Sequence, residues 1–145
     1  MIIRTATETD LPDILELYSQ PGMDDGKILS LDDAKTIYAK MKSYPDYELY
    51  VAEEDGAVVG TFALLIMDNL AHTGSKSAVI EDVAVSLAKQ GCGVGTQMMK
   101  RAAEICRSKT CYKISLSSNM KRADAHKFYK KLGYKIHGYS FLTEI

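Results

Sequence analysis

Between an apolar, β-branched run over residues 78–85 and a helical pattern opening near Val94 lies the stretch Gln90-Gly91-Cys92-Gly93-Val94-Gly95-Thr96. Three glycines in five residues at a strand-to-helix junction allow the backbone to turn sharply and to be approached closely. The first amides of a helix have no intrahelical acceptor. They point outward with the positive end of the helix dipole, which makes such a turn an anion cradle suited to a diphosphate. A dinucleotide fingerprint would place Gly-x-Gly-x-x-Gly early in a parallel sheet, and a nucleoside-triphosphate loop would end in Gly-Lys-Ser or Gly-Lys-Thr. Neither pattern occurs. On spacing alone, the turn reads equally as a phosphate cradle or as a loop without a ligand.

The surrounding pattern predicts a mixed α/β (α+β) class. Residues 2–7 read as a first strand, followed by a helix capped by Thr9, with Leu11, Ile14, Leu15, Leu17 and Tyr18 on its apolar face. Ser30 and Asp33 resemble a capping box, and Ala34, Ile37, Tyr38 and Met41 continue it as a second helix. Residues 48–53 and 57–67 read as antiparallel strands joined at Asp55-Gly56. A third strand over residues 78–85 carries Glu81 and Asp82, which alternation sends to opposite faces. Val94, Met98, Met99, Ala102, Ile105 and Cys106 mark a helix, residues 112–117 another strand, and Ala125, Phe128, Tyr129 and Leu132 a last helix stopped by Gly133. Residues 134–145 read as one or two closing strands. The expected sheet is largely antiparallel, with one strand-helix-strand crossover and about four flanking helices.

At 145 residues and 46% hydrophobic, the chain suits a single domain over residues 1–145. No apolar run approaches the roughly 20 residues of a bilayer span, and the opening lacks a signal-peptide pattern, so a soluble, cytoplasmic protein is expected. Cys92, Cys106 and Cys111 show no zinc-ligand spacing; reduced thiols and no metal site are expected. The net charge of -1 gives no drive toward nucleic acid or a membrane. It is unevenly spread: residues 1–86 hold sixteen acids against six bases, a net of -10, and the remainder twelve bases against three acids, a net of +9. A polyanionic ligand therefore suits the second half better than the first.

With Gln90-x-x-Gly93-x-Gly95 at a strand-to-helix turn, Asn119 after the next strand, and Phe128-Tyr129 closed by Gly133-Tyr134, the sequence resembles the GNAT family of N-acetyltransferases. The resemblance is motif-specific from about Ile80 to Tyr134 and follows the element order of the whole chain. It implies an acetyl-CoA cosubstrate lying between two splayed strands, with its pantetheine arm hydrogen-bonded like an added strand. By that resemblance the backbone of Val83, Ala84 and Val85 would hold the pantetheine and the acetyl carbonyl. Gln90, Gly91, Cys92, Gly93, Val94, Gly95 and Thr96 would hold the diphosphate, the Asn119 side chain the pantetheine, and Lys131 a coenzyme phosphate.

The resemblance also implies that Tyr129 protonates the departing thiolate. An alkylamine is mostly protonated at neutral pH, so attack needs a base or a water chain. Glu81 and Asp82 are the candidates, and the resemblance favours Glu81. His126 reads as a surface histidine, and Cys92 lacks an activating neighbour, which fits direct attack without an acyl-enzyme. Residues 116–129 resemble the same stretch of aminoalkylphosphonate N-acetyltransferases, although His72 stands alone where those enzymes carry a histidine-rich run. The Ile80-Glu81-Asp82 run resembles polyamine and amino-sugar acetyltransferases. A small-molecule primary amine is the first expectation for the acceptor, and a protein N-terminus or lysine the alternative. A non-catalytic acetyl-CoA-binding module is the reading from a different class. The closing strands could pair within one chain or across a homodimer.

Overall fold

The computed structural model describes residues 1–145, which fall into two compact units, residues 1–115 and 116–145. The first unit is built on a five-stranded sheet in the order β1 (Ile2–Thr5), β2 (Tyr47–Glu54), β3 (Ala57–Met67), β4 (Lys76–Val85), β5 (Cys111–Leu116), whose last residue opens the second unit. The first three pairings are antiparallel. β2 and β3 are joined at Asp55-Gly56, both at positive φ (52° and 79°), the backbone that a type I′ hairpin requires.

Helices α1 (Leu11–Tyr18), α2 (Leu31–Ser43) and α3 (Val94–Ser108) belong to the first unit, and α4 (Ala123–Lys131) to the second. Successive residues of β3 serve two cores. On one face Phe62, Leu64 and Ile66 are buried, as are Val94, Met98, Met99, Ala102 and Cys106 of α3. Gly60 lies on this side: a Cβ there would meet Met98 Sδ at 2.7 Å, Val94 Cγ1 at 3.1 Å and the Ala84 carbonyl at 3.2 Å. On the other face Ala63 packs with Ala6, Ile14, Leu49 and Val51, and Tyr18, Tyr38 and Tyr47 border that cluster.

Two expectations are corrected. The first helix is entered through a 3-10 turn, Glu8–Asp10, capped by Thr7 rather than Thr9. Its geometry follows from Asp10, whose carboxylate reaches back to the Thr7 amide (2.7 Å) and hydroxyl (2.8 Å) while pairing with Arg4 at 2.7 and 2.8 Å. Residues 134–145 form no strand. Ile136, Tyr139, Phe141, Leu142 and Ile145 are 81–121% exposed, so their apolar character finds no ladder partner. The remaining elements form as the pattern predicts; Ser30, for instance, accepts the Asp33 amide hydrogen at 3.2 Å to cap α2.

The Arg4 guanidinium beside Asp10 holds its carboxyl well below the usual carboxylate range, with the Thr7 amide and hydroxyl contributing. A depressed folded-state pKa contributes stability above the unfolded value and loses it as the carboxylate is protonated. Asp10→Ala should therefore cost about 2–4 kcal/mol at neutral pH. The gap between variant and native chain, measured by urea denaturation, should shrink as the pH falls below about 4.

Candidate active site

The end of β4 and the start of α3 bring most of the expected site residues onto one continuous stretch. Gly91 and Gly93 take φ of 78° and 90°, and Gly93 is the N-cap of α3. A side chain at either position would be conformationally strained, although the space around both is open. The Cys92 amide hydrogen goes to the Lys89 carbonyl (3.2 Å), and that of Gln97 to the Gly93 carbonyl (3.1 Å). Val94, Gly95 and Thr96 are the first three residues of α3, so their amides lack intrahelical acceptors. Gly95 and Thr96 are partly exposed while Val94 is buried as the helix anchor. These residues fit an anionic ligand: open space, a left-handed glycine at the cap, and three orphan donors along a helix dipole.

β4 departs from regularity where Glu81 and Asp82 sit. Ala63 pairs with Glu81 but Thr61 with Ala84, so Asp82 and Val83 together face Phe62 alone. This is a β-bulge, and Asp82 takes a φ of 52° within it. The bulge breaks the alternation that would send Glu81 and Asp82 to opposite faces. Both residues are exposed; partial desolvation and then the Asp82 charge raise the Glu81 carboxyl, while partial desolvation and then Asp24 raise Asp82. Glu81, in register with Ala63, stands on the sheet face that α1 covers. Tyr18 borders the same core, and its phenol is raised mainly by burial and next by Asp82.

A residue absent from the expected set ties this strand end in place. Gln20, just beyond α1, sends Nε2 toward the Val85 carbonyl (3.4 Å) and accepts the Leu87 amide hydrogen on Oε1 (2.9 Å). Gln90 Nε2 also donates to the Val85 carbonyl (3.3 Å). Gln20 carries no motif in sequence and precedes Leu87 by 67 residues, so only the fold reveals this contact. Val83 and Val85 are partly exposed and Ala84 is buried, 5% exposed, on the opposite side of the strand. The three cysteines are free thiols; Cys92 is exposed, and burial pushes the Cys106 thiol up to about 12.

The second unit carries Asn119, Tyr129 and Lys131. Asn119 Oδ1 accepts the Lys121 amide hydrogen (2.9 Å), which closes the turn before α4 and leaves its side-chain NH2 as a donor. Tyr129 lies between Phe128 and Tyr134, with ring centroids 5.1 and 5.7 Å away in edge-on arrangements. Its carbonyl accepts the Tyr134 amide hydrogen (3.0 Å), and that of Lys130 accepts from Gly133 (3.0 Å). This pair of bonds, with Gly133 at a φ of 89°, is a Schellman closure. Burial raises the Tyr129 phenol, opposed by the Arg122 charge, so the group is a neutral proton donor at physiological pH. Lys131 is exposed at the end of α4.

Comparison with known proteins bears on this arrangement. Glucosamine 6-phosphate N-acetyltransferase of Trypanosoma brucei brucei is 34% identical over 90 residues, covering 62% of this chain and 59% of that protein. Aminoalkylphosphonate N-acetyltransferase of Salmonella typhimurium is 33% identical over 91 residues, covering 63% of this chain and 58% of that protein. This chain thus spans less than two thirds of either relative. A solved structure from Agrobacterium tumefaciens str. C58, carrying a provisional acetyltransferase description, superposes with a TM-score of 0.91 at 31% identity over 100% of both chains. The model of the acetyltransferase (GNAT) family matches residues 11–134, from α1 through the glycine turn to the Gly133-Tyr134 closure, and the chain belongs to that family.

Proposed function

We propose that the protein is an acetyl-CoA-dependent N-acetyltransferase acting by direct attack on the primary amine of a small molecule. The observation that carries this reading is the glycine turn, whose orphan amides at the head of α3 follow directly on a bulged strand bearing Glu81. Acetyl-CoA supplies an activated thioester and a diphosphate. Val94, Gly95 and Thr96 offer amide donors for the diphosphate, and the bulge frees backbone groups of Asp82 and Val83 from regular pairing. Asn119 contributes its side-chain NH2, and Lys131 an exposed cation.

In this mechanism Glu81 accepts a proton from the acceptor ammonium, directly or through water, and frees the nitrogen lone pair. The new N–C bond forms as the thioester carbonyl becomes tetrahedral, and the C–S bond then breaks. Tyr129 gives its phenolic proton to the departing sulfur, and the second amine proton leaves to solvent. Cys92 takes no part, because a single displacement needs no acyl-enzyme. The names of the two sequence relatives support a small amine over a protein acceptor.

Calorimetry should show saturable acetyl-CoA binding, and its absence would overturn the proposal. Gly93→Val, which forces a β-branched residue to a φ of 90°, should weaken that binding by about tenfold or more. Tyr129→Phe should lower kcat by about a hundredfold while leaving the acetyl-CoA Kd unchanged. Partial desolvation and Asp82 raise Glu81, so its basic form accumulates as pH climbs through that raised pKa. The native kcat/KM should rise along this acid limb. Glu81→Gln should remove it, retaining only the limb due to the amine's own ionisation; an unchanged pH profile would exclude Glu81 as the base.

A further inference from the structure

Residues 87–93, which carry the chain from the end of β4 to the cap of α3, have little apolar burial to hold them. Leu87 is 58% exposed, and Ala88, Gln90, Gly91, Cys92 and Gly93 are exposed as well. The last sheet bond before them runs from the Ser86 amide to the Val59 carbonyl (2.9 Å). A 3-10 turn, Leu87–Lys89, follows, and its bonds lead on toward the glycines. The Lys89 amide donates to the Ser86 carbonyl (2.8 Å), and the Cys92 amide to the Lys89 carbonyl (3.2 Å). Where this series of bonds lies in space therefore depends on how its first residue is held.

Ser86, in the N-cap position of the 3-10 turn, makes no side-chain cap bond. The Leu87 amide donates instead to Gln20 Oε1 at 2.9 Å, from 67 residues away. The same carboxamide donates through Nε2 to the Leu17 carbonyl (2.7 Å) in the last turn of α1. The first amides and the last carbonyls of a helix lack internal partners. One side chain here meets one of each, and its orientation follows, since Oε1 can only accept and Nε2 can only donate. The other side-chain tie from outside the segment is the Lys89–Glu54 ion pair, which is half-exposed and screened by water.

We propose that Gln20 is a positioning residue for the coenzyme: by capping the Leu87–Lys89 turn it places the amides of residues 91–96 and so sets the affinity for the diphosphate of acetyl-CoA. The inference rests on the acetyl-transfer reading and extends donor binding to a residue beyond the end of α1. Gln20 touches no reacting atom. An amide cradle holds an anion well only when its donors are already in place, because ordering a loop during binding subtracts from affinity. Without Gln20 the Leu87 amide turns to water, and the exposed segment is left joined through glycines that tolerate many conformations.

Two variants of the full chain separate the hydrogen bonds from the bulk of the side chain. Gln20→Met keeps the length but neither accepts nor donates at its tip. Gln20→Glu keeps an acceptor for the Leu87 amide and loses the donor for the Leu17 carbonyl. Calorimetry should give an acetyl-CoA Kd about tenfold weaker for Gln20→Met, the size of one net hydrogen bond, and at most about threefold weaker for Gln20→Glu. Amide hydrogen exchange should quicken over residues 87–93 in Gln20→Met, return toward native in Gln20→Glu, and stay native in β3 of both. An unchanged Kd in Gln20→Met, equal losses in the two variants, or exchange quickened in β3 to the same extent would overturn the positioning role. A native chain that binds no acetyl-CoA would instead overturn the transferase reading.

Discussion

The missing Cβ of Gly60 sets the distance between the sheet and α3. Any side chain there would have to displace Met98, Val94 or the carbonyl of Ala84. Two of those neighbours have little freedom: Val94 is the first residue of α3, and the Ala84 carbonyl belongs to the sheet. Gly60 therefore lets the head of α3 descend onto β3 beside the end of β4. The glycine turn has to cover a short span from Val85 to Val94, and it does so with left-handed residues at 91 and 93. Orphan amides at a helix head are common to all helices. Here close packing fixes them next to a strand end whose own pairing is interrupted.

That interruption separates two chemical environments within a few residues. After the bulge, Ala84 turns inward and the backbone of Val83 and Val85 carries the partly exposed edge of the site. Before it, Glu81 stands exposed on the α1 side of the sheet, where partial desolvation and the Asp82 charge raise its carboxyl. A regular strand would have put Glu81 and Asp82 on opposite faces. The extra residue instead brings their charges into mutual range, and acid–base chemistry depends on such perturbed carboxyls.

Much of this was legible before any coordinates. Asp55-Gly56 forced a hairpin because a two-residue type I′ turn needs positive φ twice. The apolar positions of α3 named its buried face, and the Gly91-Cys92-Gly93 turn pointed to its donors. The bulge left no such mark, since Asp82 is not a glycine and a one-residue register change depends on the partner strand. The cap at Thr7 was missed because the controlling group is the Asp10 side chain reaching backward, bound in turn by Arg4. Residues 134–145 misled for a third reason: β-branched and aromatic composition describes a segment able to pair, while a strand also needs a neighbour with free ladder groups. Gln20 lay beyond sequence reading because its side chain joins segments distant in sequence.

The Gln20 side chain has a mechanical consequence. With one amide group engaged at both the Val85 carbonyl and the Leu87 amide, it rivets the end of α1 to the end of β4. The loop leaving α1, with Asp24 beside Asp82, and the strand leading to the glycine turn thus share a single anchor. Any shift of the end of α1 is therefore felt at the end of β4 through a single side chain, and the two segments are referenced to the same fixed point.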